Sequence, residues 1–145
     1  ARAADVRVRF SAVVEERGRP EKTTAVRTTT VLAGRFTLSR PVRFSGTSSR
    51  LSPAEQAYLE KLRQQLAGAI ELSCTGHADH RGTAANSRAL GARRAELVCD
   101  ALSDGPEVEV SSRGRAEKQL TGKNDTAANR ARNNRTDVTV TFPPP

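Results

Sequence analysis

The chain has 145 residues, of which 36% are hydrophobic and only 3% aromatic, and its formal net charge is +8 at pH 7. This length predicts one domain with a modest aliphatic core. Four Phe and a single Tyr are too few for the base-stacking platform of a single-strand nucleic-acid binder. The charge indicates anionic surroundings, and a polyanionic cell wall suits it as well as nucleic acid does.

The sequence also indicates an exported protein. No run of about 18 apolar residues is present, so we expect nothing in this chain to span a membrane. The chain begins at Ala1 and contains no Met, which predicts a processed or excised piece whose signal, lipid anchor or membrane helix lies elsewhere. Cys74 and Cys99 suit an exported protein with one disulfide. Cys99 falls about halfway round its predicted helix from the apolar face, which leaves a bridge and two partly buried thiols equally open.

The first 34 residues predict an N-terminal β-hairpin extension. Two runs, 5–14 and 23–34, are rich in β-branched residues, and a polar turn separates them. The hairpin could extend the main sheet, swap onto a partner chain or act as a loosely docked linker. We assign the main domain to 35–142 and a Pro tail to 143–145.

The main domain opens with a strand and a helix. Residues 35–44 predict the first core strand, in which Pro41 favours an edge or a bulge. Ser52 is a good N-cap for the following helix, and Glu55 would complete a capping box. The buried stripe of this helix is predicted to be Tyr58, Leu59, Leu62 and Leu66.

The central stretch runs from Cys74 to Ala95 and predicts a strand, a loop and a helix from about Ala85 to Leu102. Arg94 lies about 40° round this helix from Leu90, on the apolar side. A buried guanidinium needs a partner, and Asp79 in the loop is the nearest acidic candidate. The two side chains could form a plain ion pair, or they could hold a ligand that carries both an amine and a carboxylate.

The remaining residues predict a strand around Val108, a short helix ending near Arg132 and a last strand over 137–142. The short helix would be capped by Asn124–Asp125.

The motifs GHADHRGT at 76–83 and LGARRA at 90–95 resemble the signature of the OmpA-like peptidoglycan-binding domain, above all the version in peptidoglycan-associated lipoproteins. The stretch 124–140 resembles the second signature of this family. In it, Asn129, Asn134 and Thr136 replace a Gly, the first Arg of an Arg pair and a Val. The resemblance implies an α+β fold, a β-α-β-α-β-(α)-β two-layer sandwich with a mixed sheet.

The resemblance also implies a ligand. Asp79 would accept hydrogen bonds from the ammonium group of diaminopimelate in the peptidoglycan stem peptide, and Arg94 would fork onto its carboxylate. Leu90 would line the aliphatic part of the ligand, and Phe44 precedes a loop that borders the pocket. Ser87 stands where the family has an Asn at the pocket rim.

Arg135 is predicted either to flank this pocket or to make a salt bridge with a loop. The implied function is non-covalent anchoring of an envelope protein to peptidoglycan, on the exported side of a membrane. The alternative is a basic exported domain that binds polyanions, either wall polymers or nucleic acid, through scattered arginines.

Two catalytic or metal-dependent interpretations are weaker. Cys74, His77, Asp79 and His80 include metal-ligand types, but Cys74 and His77 point to opposite faces of a strand. His77 is better explained as a structural hydrogen-bonding residue. No pair of carboxylates for glycan cleavage can be identified, so we predict a binding protein with no metal and no cofactor.

Overall fold

The computed structural model describes residues 6–12, 25–31, 34–79, 82–103, 105, 107–115 and 126–144. The helices and strands in chain order are β1 Val6–Ala12, β2 Ala25–Val31, β3 Gly34–Thr37, β4 Val42–Arg43, α1 Pro53–Gln65, β5 Glu71–His77, α2 Ala84–Leu102, β6 Glu109–Arg115, α3 Ala127–Asn133 and β7 Arg135–Phe142. Of the helices within these ranges, none combines the length and the apolar character needed to cross a bilayer.

The N-terminal strands form the predicted hairpin. β1 and β2 pair antiparallel, with Val6 opposite Val31 and Ala12 opposite Ala25. Among the described strands they form a two-stranded sheet of their own and do not continue the main sheet.

The main sheet has five strands in the order β3-β7-β5-β6, with β4 also paired to β7. β5 and β6 are parallel, and the other pairs are antiparallel, which confirms the mixed sheet expected from the resemblance. The first core strand is divided at Pro41 into β3 and β4. Both halves pair only with β7 among the described strands, so Pro41 lies at the sheet edge, where its missing N–H costs no ladder hydrogen bond.

Helix α1 begins where predicted, but its capping box is incomplete. The Ser52 hydroxyl accepts from the backbone N–H of Glu55 at 3.2 Å. The Glu55 carboxylate does not return the bond, because it accepts from Arg40 Nη2 at 2.8 Å and from the N–H of Arg43 at 3.3 Å. A charge-assisted bond to a guanidinium is stronger than the neutral alternative.

The two long helices bury their apolar sides on one face of the sheet. α1 contributes Leu59 and Leu62, and its C-cap residue Leu66 also lies in the core, as predicted, with Tyr58 partly buried beside them. From α2 come Ala95, Val98, Cys99 and Leu102, and the sheet supplies Val42, Leu72, Cys74, Val138, Val140 and Phe142.

The buried side of α2 is rotated relative to the prediction. It is centred near Ala95 and Val98, whereas Leu90, which the prediction places on the apolar side, is only half-buried. Because of this rotation, Cys99 points towards the sheet and forms a disulfide with Cys74. The Cα atoms of the two cysteines are 5.9 Å apart. The structure therefore decides the open question of the cysteines in favour of the bridge.

Close contact between two glycines explains this rotation. Gly76 in β5 faces Gly91 in α2, and a Cβ atom at either position would clash with the backbone of the other. The helix backbone therefore lies directly on the strand at this point. Because Arg94 follows Gly91 by almost one turn, this contact also fixes the direction in which Arg94 projects.

Candidate functional site

Several buried side chains converge at one end of the main sheet. Asp79 follows the end of β5, Arg94 lies in the middle of α2, and Asn134 connects α3 to β7. Their exposed fractions are 3%, 0% and 2%, respectively. Phe44, just after β4, and Ser87, in the first turn of α2, are buried beside them. We call these five residues the Asp79–Arg94 site.

The ends of both helices next to this site are fixed by threonines. Thr83 caps α2 by accepting from the N–H of Asn86 at 3.2 Å, and Thr126 caps α3 by accepting from the N–H of Asn129 at 3.1 Å. The prediction that Asn124–Asp125 caps α3 is therefore wrong, since Thr126 is the N-cap; residues 124 and 125 themselves lie outside the described residues.

The Arg94 guanidinium donates five hydrogen bonds, which is its full capacity. Nε and Nη2 donate to the carbonyl of Ser48 at 2.9 and 2.8 Å, and Nη2 also donates to the carbonyl of Gly46 at 2.6 Å. Nη1 donates to the carbonyl of His77 at 3.0 Å and to Asn134 Oδ1 at 2.8 Å. All of these acceptors are neutral.

Asn134 connects the acidic and basic groups of the site. Its Nδ2 donates to Asp79 Oδ2 at 3.1 Å, while its Oδ1 accepts from the N–H of Asp79 at 3.1 Å and from Arg94 Nη1. Among the described residues, Arg94 thus reaches Asp79 through an amide and not through a direct ion pair. The plain ion pair considered from the sequence is replaced by this bridged arrangement.

Burial and charge act on Arg94 in opposite directions. Burial lowers the pKa of Arg94 to about 10, and the nearby Asp79 carboxylate opposes this shift. The guanidinium therefore stays charged at neutral pH. Its charge is solvated by carbonyl and amide dipoles, whose bonds to a cation are stronger than neutral hydrogen bonds.

Three of the other predicted site residues lie at or near the Asp79–Arg94 site, and the fourth, Arg135, does not. The Phe44 ring lies 5.0 Å from Arg94 Cζ, within cation–π range. The Ser87 hydroxyl points to the Asp79 carbonyl at 3.5 Å, the outer limit of a hydrogen bond. Leu90 is half-buried one turn before Arg94 on α2.

Arg135 lies elsewhere, on the sheet face opposite the helices. β7 alternates, so Thr136 and Val138 face the helices whereas Arg135 and Asp137 face away. Arg135 Nε donates to Asp137 Oδ1 at 3.0 Å, and His77 Nε2 lies 3.1 Å from Asp137 Oδ2. His77 is therefore a structural hydrogen-bonding residue, as predicted.

The disulfide also bears on the metal interpretation. Cys74 is bonded to Cys99 and cannot supply a thiolate ligand. Within the described part of the chain, no group of three or more His, Cys, Asp or Glu side chains is arranged to hold a metal ion.

Sequence reasoning missed the role of Asn134 and of the carbonyls of Gly46 and Ser48. The sequence marked Asn134 only as a departure from the second signature. Backbone acceptors in a loop leave no mark in side-chain patterns, so the enclosure of Arg94 could not be predicted.

The comparisons with known proteins agree with this architecture. The model of the OmpA family matches residues 43–135, which include Phe44, Asp79, Arg94 and Asn134. This chain belongs to the OmpA family. Among curated proteins, this OmpA-family chain is 30% identical over 111 residues to the putative lipoprotein YfiB of Escherichia coli, covering 73% of this chain and 69% of that protein.

Solved structures share the fold. The peptidoglycan-associated lipoprotein of Burkholderia pseudomallei matches with a TM-score of 0.64 and 27% identity, covering 71% of this chain and 91% of that one. The cell wall anchor of the T6SS from Pseudomonas aeruginosa matches with a TM-score of 0.57 and 24% identity, over 75% and 82% of the two chains. The C-terminal domain of Helicobacter pylori MotB gives 0.58 and 23%, over 70% and 84%. The last two likenesses concern the fold alone.

Proposed function

We propose that this chain anchors an envelope protein to the cell wall by binding the diaminopimelate of the peptidoglycan stem peptide at the Asp79–Arg94 site. The observation that carries the proposal is a charged guanidinium and a carboxylate, both buried, held at one end of the sheet in an OmpA-family fold. The 27% identity to a peptidoglycan-associated lipoprotein supports peptidoglycan as the ligand class.

The chemistry of diaminopimelate fits these two groups. The far end of its side chain carries an ammonium and a carboxylate on one carbon, and stem peptides with lysine at this position lack that carboxylate. Asp79 would accept from the ammonium and Arg94 would donate to the carboxylate, each through charge-assisted hydrogen bonds. Phe44 and Leu90 would contact the aliphatic part of the ligand.

Binding would require an exchange of acceptors at Arg94. Because every N–H of its guanidinium already has an acceptor, a ligand carboxylate must displace a carbonyl, and those of Gly46 and Ser48 lie on a short loop outside regular structure. An anion is a stronger acceptor than a carbonyl, so the exchange is favourable in a site shielded from water. The loop 45–50 would then move to admit the ligand.

The experiment is co-sedimentation with insoluble peptidoglycan at moderate salt, comparing diaminopimelate-type and lysine-type sacculi. Wild type should sediment only with the diaminopimelate type, and Asp79→Asn should remain in the supernatant while still folded. Arg135→Gln is the matched control, since it removes a buried guanidinium on the other sheet face, and it should sediment like wild type. Equal binding to both wall types would contradict the proposal.

The net charge of +8 favours a second candidate, the binding of polyanionic polymers through surface arginines. Such binding weakens steeply as salt increases because counterions are released, whereas recognition in a buried site changes little. Loss of sedimentation between low and moderate salt, with Asp79→Asn behaving like wild type, would support the polyanion candidate.

A further inference from the structure

Strand β6 forms one edge of the main sheet. It is the last strand in the order β3-β7-β5-β6, and among the described strands it pairs only with β5. Most of its seven residues are exposed, including Val110, which is 40% exposed. Proteins commonly block a long edge with Pro, Lys or a bulge. β6 contains neither residue, and its ladder with β5 is regular over its whole length.

The backbone groups that point outwards from this edge belong to every second residue. The N–H of Glu109 donates to the carbonyl of Ile70, so the backbone groups of Glu109 are directed at β5. In a strand, the N–H and C=O of one residue point to the same side, and consecutive residues alternate between the two sides. The N–H and C=O groups of Val110, Ser112 and Gly114 are therefore directed away from β5, along the edge of the sheet.

These outward groups suit a second copy of the same strand. When two copies of β6 run antiparallel about a two-fold axis at Ser112, Val110 of each copy lies opposite Gly114 of the other, and Ser112 lies opposite its own equivalent. All three residues can then donate and accept a backbone hydrogen bond across the interface. A shift of two residues in either direction leaves one of the three opposite a residue outside the strand.

The charged side chains favour the same register. Gly114 lies against the backbone of α2, so the alternate residues Glu109, Ser111, Arg113 and Arg115 lie on the sheet face away from the helices. With the axis at Ser112, Glu109 lies opposite Arg115 of the second copy, and Ser111 lies opposite Arg113. Opposite charges directly across an antiparallel pair are favourable, whereas like charges are unfavourable. The pairing thus creates two Glu–Arg pairs and no pair of like charges.

We propose that β6 is the interface through which two copies of this chain associate, by antiparallel pairing of the two β6 strands into one continuous sheet. The association does not depend on the proposed wall ligand. β5 is parallel to β6 and leads to Asp79, so the two Asp79–Arg94 sites would lie at opposite ends of the joined sheet. Under the proposed function, such a dimer would hold two stem peptides at once and gain avidity for the wall.

The test measures the dissociation constant of the dimer by sedimentation velocity at low salt, where exposed charge pairs are screened least. Glu109→Arg places an arginine opposite each Arg115, and Arg115→Glu places a glutamate opposite each Glu109. Each variant alone should dimerise about tenfold more weakly than wild type, or worse. An equimolar mixture of the two variants should form a heterodimer with nearly the affinity of wild type, because both cross-strand pairs again join opposite charges.

A second variant tests the backbone pairing. Ser112→Pro removes the N–H at the axis but no hydrogen bond to β5, so it should abolish the dimer and leave the melting temperature close to that of wild type. Lys61→Glu, on the exposed side of α1, is the control for net charge. It changes the charge by as much as Arg115→Glu and should dimerise like wild type.

A protein that stays monomeric at every concentration would overturn the proposal. So would a dimer that Ser112→Pro does not weaken, or a mixture of the two charge variants that does not associate. Co-sedimentation with diaminopimelate-type sacculi is a separate readout, so failure of this interface and failure of the proposed function can be distinguished.

Discussion

Two buried arginines lie on opposite faces of the main sheet, Arg94 on α2 and Arg135 on β7, and their charges are compensated differently. Arg135 donates to a carboxylate, that of Asp137, at 3.0 Å. Arg94 donates to backbone carbonyls and to the Asn134 amide, and its route to Asp79 runs through that amide. A guanidinium that already has an anion gains little from a ligand carboxylate. One that is held by neutral dipoles gains a great deal.

The two regions are the Asp79–Arg94 site and the cluster of Arg135, Asp137 and His77 on the other sheet face. The largest difference between them should be the loss of stability when the guanidinium of each is deleted. Arg94→Ala leaves several buried acceptors without a donor, and we expect it to lower the free energy of unfolding by about 3–5 kcal/mol. Arg135→Ala should cost about 1 kcal/mol, because its partner Asp137 is a third exposed and screened by solvent. Urea denaturation at neutral pH measures both, and equal losses would contradict the distinction between the two arginines.

The disulfide joins β5 to α2 and should stabilise both regions. β5 ends at His77, which contacts Asp137 on one sheet face, and Asp79 follows it in the site on the other face. Replacing both Cys74 and Cys99 by Ala opens a loop of 25 residues. We expect the free energy of unfolding to fall by about 3 kcal/mol, mainly because the unfolded chain gains freedom. Wild type in reducing buffer is the control and should unfold at nearly the same urea concentration. A stable reduced protein would show that packing alone holds α2 on β5.

Acid should destabilise the Asp137 region selectively. Burial raises the pKa of Asp137, but the hydrogen bonds from His77 and Arg135 together lower it by more. The pKa therefore lies below the usual aspartate value of 3.8. A lowered pKa in the folded state adds stability above the unfolded pKa, and this stability is lost as pH falls through the folded value. Asp137→Asn should therefore reduce the loss of melting temperature below about pH 4.

The matched control for this acid effect is Asp100→Asn, which removes an exposed carboxylate on α2. It should leave the pH profile of the melting temperature close to that of wild type. Identical profiles for Asp137→Asn and wild type would contradict a stabilising role for the Asp137 cluster.

The sequence predicted the order of the elements, because strand alternation, helix caps and the two signatures all point to the same fold. It also placed Asp79 and Arg94 at the same site. It did not predict the rotation of α2, since a helical wheel drawn from Leu90 takes no account of the Gly76–Gly91 contact. It could not identify Asn134 as the bridge, because that contact joins residues 55 positions apart in the chain.

The smallest expected effect concerns Thr136, which lies on the helix-facing side of β7 next to Asn134. Its hydroxyl is buried and has no hydrogen-bond partner among the described residues. Thr136→Val should raise the free energy of unfolding by about 1 kcal/mol, because it removes this unsatisfied group at similar volume. Thr139→Val is the control: its hydroxyl is bonded to that of Thr37 at 2.9 Å, so no gain is expected. A loss of stability in Thr136→Val would show that the hydroxyl has a partner.

The central claim is that Arg94, and not Arg135, is the guanidinium that meets the ligand. The most direct test follows the Nε–Hε signals of both arginines by NMR while a diaminopimelate tetrapeptide is added, with the lysine tetrapeptide as control. Each signal is assigned by its loss in the corresponding Arg→Lys variant. We predict a saturable shift of the Arg94 signal with the diaminopimelate peptide alone and a stationary Arg135 signal. A stationary Arg94 signal at saturating peptide, or equal shifts with both peptides, would contradict the account.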